Sequence, residues 1–194
     1  GSNWAFDQAI GRATWGEAYM YDPHTGLIWP QRFERAEVTA REGLPIGKTL
    51  DWVDLSFEAE IAVPEDAWVD WDAENQAFIT AAEKFPEGTT ANIKSVVYYP
   101  ADVFETVKWH DGSTFDLADM IYAWIIGLDM GKEASPIYDE AYAANAEAIL
   151  ANFKGWKILS EDPLTIEAYY DNYQTDAELN IGTFWSSFRY GEAP

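Results

Sequence analysis

Residues 107–122 constrain the fold more than any other window, because a strand, a sharp turn and a capped helix are written there in unbroken succession. Val103, Glu105, Val107 and Trp109 alternate with Phe104, Thr106, Lys108 and His110, the period of two expected of an extended segment with two unlike faces. Asp111-Gly112 then closes it, since aspartate hydrogen-bonds its own downstream backbone and glycine reaches positive φ without a Cβ clash. Asp116 stands where an N-cap carboxylate accepts the free amides of a first helical turn, and Asp119 adds negative charge at the same end. Met120, Ile121, Trp124, Ile125 and Leu128 follow at helical spacing as one apolar stripe. The pattern predicts a helix docked on a sheet through that stripe.

Elsewhere the elements are read from weaker signals. Ile10, Ala13, Thr14 and Glu17 fit a short helix interrupted by Gly11 and Gly16. Residues 21–30 form a turn between short strands, and Pro45-Ile46-Gly47 breaks the chain. Phe57, Ala59, Ile61 and Val63 alternate with glutamates, which predicts a half-buried strand with those four residues inward, ended by Pro64. Over residues 67–84 alanines favour helix while Trp68, Trp71, Phe78 and Ile79 favour strands, and the balance falls to a hairpin around Asp72-Ala73-Glu74-Asn75. Phe85-Pro86-Glu87-Gly88 reads as a loop, residues 95–99 as a strand and 131–136 as a linker. Residues 138–153 read as a second helix, with Tyr142, Ile149 and Phe153 among its apolar positions. Residues 157–160 and 164–170 make a hairpin around Glu161-Asp162-Pro163, with Leu164, Ile166, Ala168 and Tyr170 on one face. The sum is an α+β fold with a mainly antiparallel sheet and two or three packed helices.

Charge narrows the partners. A net charge of −22 and a pI near 4.1 leave twelve Lys and Arg among thirty-four carboxylates, too few to form a phosphate-neutralising stripe, so nucleic acid is not a partner. An anionic membrane surface would repel the chain for the same reason. Without cysteine there are no disulfides, thiolate nucleophiles or Cys-based zinc sites. No apolar run approaches the roughly 18 to 20 residues that a membrane-spanning helix requires.

Catalytic chemistry finds no foothold. His24 and His110 lie in expected turns, with no His-x-x-x-His spacing, so no metal site is assigned. Ser113 and Ser135 lack the Gly-x-Ser-x-Gly elbow, and Gly11 and Gly16 do not make a phosphate cradle. At this density of carboxylates, pairs arise by chance, so no glycosidase acid and base stand out. The chain is read as a non-enzyme without a cofactor. Its ten Trp, eleven Tyr and ten Phe serve either as core or as stacking platforms. Trp109 and Trp124 are expected in the core, while Trp68, Trp71, Trp185 and the pair Tyr169-Tyr170 are open to either role.

Trp109-His110-Asp111-Gly112 and the helix start from Asp116 to Trp124 resemble the extracellular solute-binding proteins of family 5, the dipeptide- and oligopeptide-binding components of ABC importers. That family runs Lys, Phe or Trp, His or Ser, Asp, Gly, Thr and then Thr-Ala-Glu-Asp-Val-Val-Tyr-Ser. In the expected order, Tyr21-Asp22-Pro23-His24-Thr25-Gly26-Leu27-Ile28-Trp29-Pro30 is similar to its first hairpin, and the segment from Ile158 to Glu167 is similar to a later one. The family passes almost directly from the first hairpin to the strand before the turn, whereas here residues 31–97 intervene.

The resemblance implies a type II, periplasmic-binding-protein-like clamp. Residues 1–2 read as an expression scar, and residues 3–194 as a single α+β lobe, the smaller of the two, acting mainly as a lid. Its partners would be the remaining lobe, the permease subunits and a peptide or similar solute, in a periplasmic or extracellular, lipoprotein-anchored protein. By position, Tyr138 and Tyr142 match the segment approaching the ligand cleft, although both could equally pack the second helix. An acidic, aromatic-rich carbohydrate-binding module is the alternative, marked by a row of exposed tryptophans.

Overall fold

A computed structural model describes residues 18–109 and 111–183. The expected N-terminal helix, His110 and Trp185 lie outside the described residues. Seven strands form the main sheet in the order β4-β3-β9-β11-β10-β6-β7: β3 (Arg35–Arg41), β4 (Val53–Glu58), β6 (Trp68–Asp72), β7 (Ala77–Thr80), β9 (Ile93–Tyr98), β10 (Phe153–Glu161) and β11 (Leu164–Tyr170). All neighbours are antiparallel except β3 and β4, which run parallel. Two small ribbons accompany it: β1 (Tyr19–Tyr21) with β2 (Ile28–Pro30), and β5 (Ile61–Ala62) with β8 (Thr90–Ala91). Five helices are present among the described residues: α1 (Ala81–Lys84), α2 (Val103–Thr106), α3 (Leu117–Asp129), α4 (Glu140–Asn152) and α5 (Ala177–Thr183). The fold is therefore α+β with a mainly antiparallel sheet. It carries two long helices, α3 and α4, and three short ones, more than the two or three expected.

The leading window divides in two. Its second half stands as expected: Asp116 accepts from the amides of Ala118 and Asp119, Asp119 reaches back to the Asp116 amide at 2.9 Å, and the reciprocal pair fixes the start of α3. Gly112 sits at φ +87°, which only glycine adopts cheaply, and its amide bonds the Trp109 carbonyl at 2.9 Å. The first half differs, because Val103–Thr106 is one helical turn rather than a strand. Pro100 starts a turn, the Val103 amide bonding its carbonyl at 3.1 Å, and helical winding buries Val103 while packing Phe104 and Val107 on the core. Among the described residues of this half, Lys108, bridged to Thr114, and Trp109, whose amide bonds the Ser113 carbonyl at 3.0 Å, remain ladder-like. The strand serving the sheet here is β9, upstream.

A second correction concerns residues 57–63. Phe57 shares the core-facing side of Ala40, opposite it in the parallel ladder, yet it lies at the far end of an edge strand and stays 45% exposed. The strand ends at Glu58, Ala59 is exposed, and Ile61 and Val63 turn inward separately. The hairpins fare better: β6 and β7 pair around residues 73–76, and β10 and β11 around 162–163. The second helix starts at Glu140, after Asp139 caps it, and Phe153 already belongs to β10.

Trp124 sits at the centre of the core, 1% exposed, with ring centroids 5.3 Å from Phe78, 5.6 Å from Trp156 and 6.1 Å from Phe153. Trp109 is half-buried against the same cluster and donates Nε1–H to Asp119 at 3.1 Å. Strand β11 is buried along its whole length, since its opposite face meets a second cluster of Ile61, Val63, Ala67, Val69 and Tyr169. Gly155 permits this close contact. A Cβ there would stand 2.9 Å from that of Ala67, at a φ of +149°.

Candidate functional site

The expected ligand-facing tyrosines lie where α3 turns into α4. Tyr138 is 38% and Tyr142 45% exposed, beside Ile137 at 48%, so two phenol rings and an aliphatic side chain reach solvent within six residues. Neither tyrosine is consumed by the core.

Beneath them lies a connected set of hydrogen bonds and ion pairs. Asp129, at the end of α3, is buried and accepts from Trp71 Nε1–H at 2.9 Å through one oxygen and from the Ser135 hydroxyl at 2.6 Å through the other. Ser135 Oγ in turn accepts from the Ile137 amide at 3.1 Å, and the Asp139 amide bonds the Met130 carbonyl at 2.9 Å. Asp139 then accepts from the Ala141 amide as N-cap of α4. One residue before Trp71 in β6, Asp70 holds Lys132 at 2.8 Å and Lys84 at 3.1 Å, with only 3% of its side chain exposed. Burial pushes its carboxyl upward most strongly, but the Lys132 ammonium, the Trp71 amide and Lys84 together hold it below the usual aspartate value of 3.8. The connection 130–139 is thus tied to the sheet through two buried carboxylates, Asp70 holding Lys132 and Asp129 bridging Trp71 and Ser135.

Sequence reasoning found the exposed rings and missed their anchor. Ser135, considered as a nucleophile and set aside, is a structural hydroxyl. Asp70 carried a readable signal, an aspartate between Val69 and Trp71 inside a strand, where aspartate is normally disfavoured unless paired. His24 is exposed in the first turn, its amide bonding Asp22 at 2.7 Å. Among the described residues, no three His, Asp or Glu side chains group as a metal site. Of the tryptophans described, Trp29 is exposed, Trp52, Trp68 and Trp109 are half-buried, and Trp71, Trp124 and Trp156 are buried. Tyr169 and Tyr170 are buried as well, and burial pushes both hydroxyls far above the ordinary tyrosine value.

The arrangement presents two phenol rings with their hydroxyls and one aliphatic side chain at the surface, above a hydrogen-bonded connection. No protein-family model and no curated protein matches the chain.

Proposed function

We propose that this chain is one lobe of a two-lobed, family 5 type solute-binding protein that delivers a captured solute to an ABC permease outside the cytoplasmic membrane. The observation that carries the reading is the exposed Ile137, Tyr138 and Tyr142 on a corner fixed by Asp129. A lid must offer contacts made only on closure, and it loses least affinity when those contacts are already ordered. The three sequence segments that resemble the family supply the class. Short peptides are the solute favoured by that resemblance, and the acidic surface disfavours anionic ones. The clamp's other lobe provides most ligand contacts, so the isolated chain binds weakly.

Trialanine titrated calorimetrically into the two-lobed protein tests this. Replacing both tyrosines by alanine should weaken binding by about tenfold, the loss expected from two ring contacts. Unchanged affinity in that variant refutes the lid, and tight binding of a glycan by the isolated chain refutes the transport reading altogether.

A further inference from the structure

Strand β10 is nine residues long, yet β6 meets it at a single register point, Trp156 opposite Trp68. Upstream of Trp68 the chain turns away, the Ala67 amide bonding the Pro64 carbonyl at 3.1 Å. Residues 157–161 therefore have β11 on one side and, among the described residues, no strand on the other. Such an edge offers unpaired amides and carbonyls to any extended chain. A groove of about 390 Å³ follows it, with Asp66 and Trp68 on one bank and residues 157–161 on the other. Trp156, fully buried, closes the floor. A register shift between Ile158 and Ser160 leaves Leu159 out of the ladder and 48% exposed.

The charges select the occupant. Asp66 and Glu161 line the groove and are exposed, with Asp162 exposed in the adjoining turn, against one lining cation, Lys157, which Asp66 already holds at 2.6 Å. A second copy of this chain brings another net −22 to the contact and is disfavoured. We propose that the exposed edge of β10 takes an extended, lysine- or arginine-bearing peptide as an added strand. Backbone pairing supplies the affinity, and alternate side chains of the guest divide between Leu159 and the acidic bank. This site is separate from Tyr138 and Tyr142, and stands or falls independently of the clamp.

The test titrates the chain with an alternating lysine–valine peptide, alongside the same peptide N-methylated at every second residue and a glutamate–valine counterpart. The lysine–valine peptide should bind one to one and slow amide exchange at residues 157–161. N-methylation should abolish binding, the glutamate peptide should not bind, and Glu161→Lys, on an exposed side chain that leaves the melting temperature unchanged, should weaken binding by about fivefold. Equal binding of the N-methylated peptide would overturn the proposal by showing attraction through charge alone. So would a bound peptide that leaves residues 157–161 unprotected, no binding at all, or protection that appears with rising protein concentration in the absence of peptide, which marks self-pairing.

Discussion

Replacing Asp129 by alanine should be among the most destabilising polar substitutions in this chain. The carboxylate accepts two hydrogen bonds, from Trp71 Nε1 at 2.9 Å and Ser135 Oγ at 2.6 Å, and all three residues are buried. Hydrogen bonds to a charged acceptor contribute about 1.5–3 kcal/mol each, and the substitution leaves two donors without a partner away from water, so a loss of about 3–5 kcal/mol follows. That is a large part of the roughly 5–15 kcal/mol available to a domain. Asp129→Asn keeps an acceptor for Trp71 and offers its amide to Ser135 Oγ, so it should cost only about 1–2 kcal/mol. Ser135→Ala should cost about 1 kcal/mol, and combined with Asp129→Ala it should add less than its own value, because both remove the same bond. Urea unfolding followed by tryptophan fluorescence reads each midpoint, and an unchanged slope shows that the native state alone is affected. If Asp129→Ala loses less than about 1 kcal/mol, or if the asparagine variant is equally weak, then the connection from α3 to α4 is not held from below and the rigid-platform argument fails.

Removing the cap of α3 with Asp116→Ala should cost about 1 kcal/mol, measured by thermal unfolding and largely restored by Asp116→Ser. Gly112→Ala forces a Cβ into φ +87° and should lower stability by about 1–2 kcal/mol, although nothing stands within 4 Å of the new atom, so the loss is backbone strain alone. Two of the buried carboxylates, Asp70 and Glu167, should titrate stability in opposite directions. Asp70 has a folded value held below its ordinary 3.8, so its contribution is present above that pH and lost as pH falls through the lowered value. The penalty of Asp70→Asn should therefore shrink on acidification. Glu167 is pushed up, chiefly by burial, against the bond from Tyr169 and the charges of Lys94 and Lys157. Its folded form holds a proton longer than the unfolded chain, so stability falls as pH rises from the ordinary glutamate value of 4.5 through the raised one, and Glu167→Gln should flatten that fall in a pH series of melting temperatures.

Local grammar carried the legible part of the fold. The capping box of Asp116 and Asp119, the stripe through Trp124, and the turns at 73–76 and 162–163 each involve residues a few positions apart, and each specifies its own geometry. What could not be read needed a distant partner. Val103 and Val107 alternate like a strand, but the spacing between them also fits one helical turn, and the choice was made by the core that receives Val103 and by the turn at Pro100. Strand β3 carries no clear alternation because it is paired on both sides: Val38, Thr39 and Ala40 are all buried, Val38 and Ala40 on the main core and Thr39 on the other face, where its neighbour in β4, Ser56, donates its hydroxyl to Thr39 at 3.1 Å.

The candidate site divides along the same line. Exposed tyrosines after a helix can be suspected from the sequence, whereas the value of their exposure depends on Trp71 meeting Asp129 across 58 positions of chain. Without that bond, Tyr138, on the connection, and Tyr142, in the first turn of α4, would have to be ordered at the moment of binding, at an entropic cost that offsets what two rings contribute. With it, on the proposed reading, that cost would already be met before a ligand arrives. Exposure suggests the proposed site, but on that proposal it is the buried carboxylate that would make it usable, and the two residues of this chain most worth altering together are therefore Tyr138, at the surface, and Asp129, beneath it.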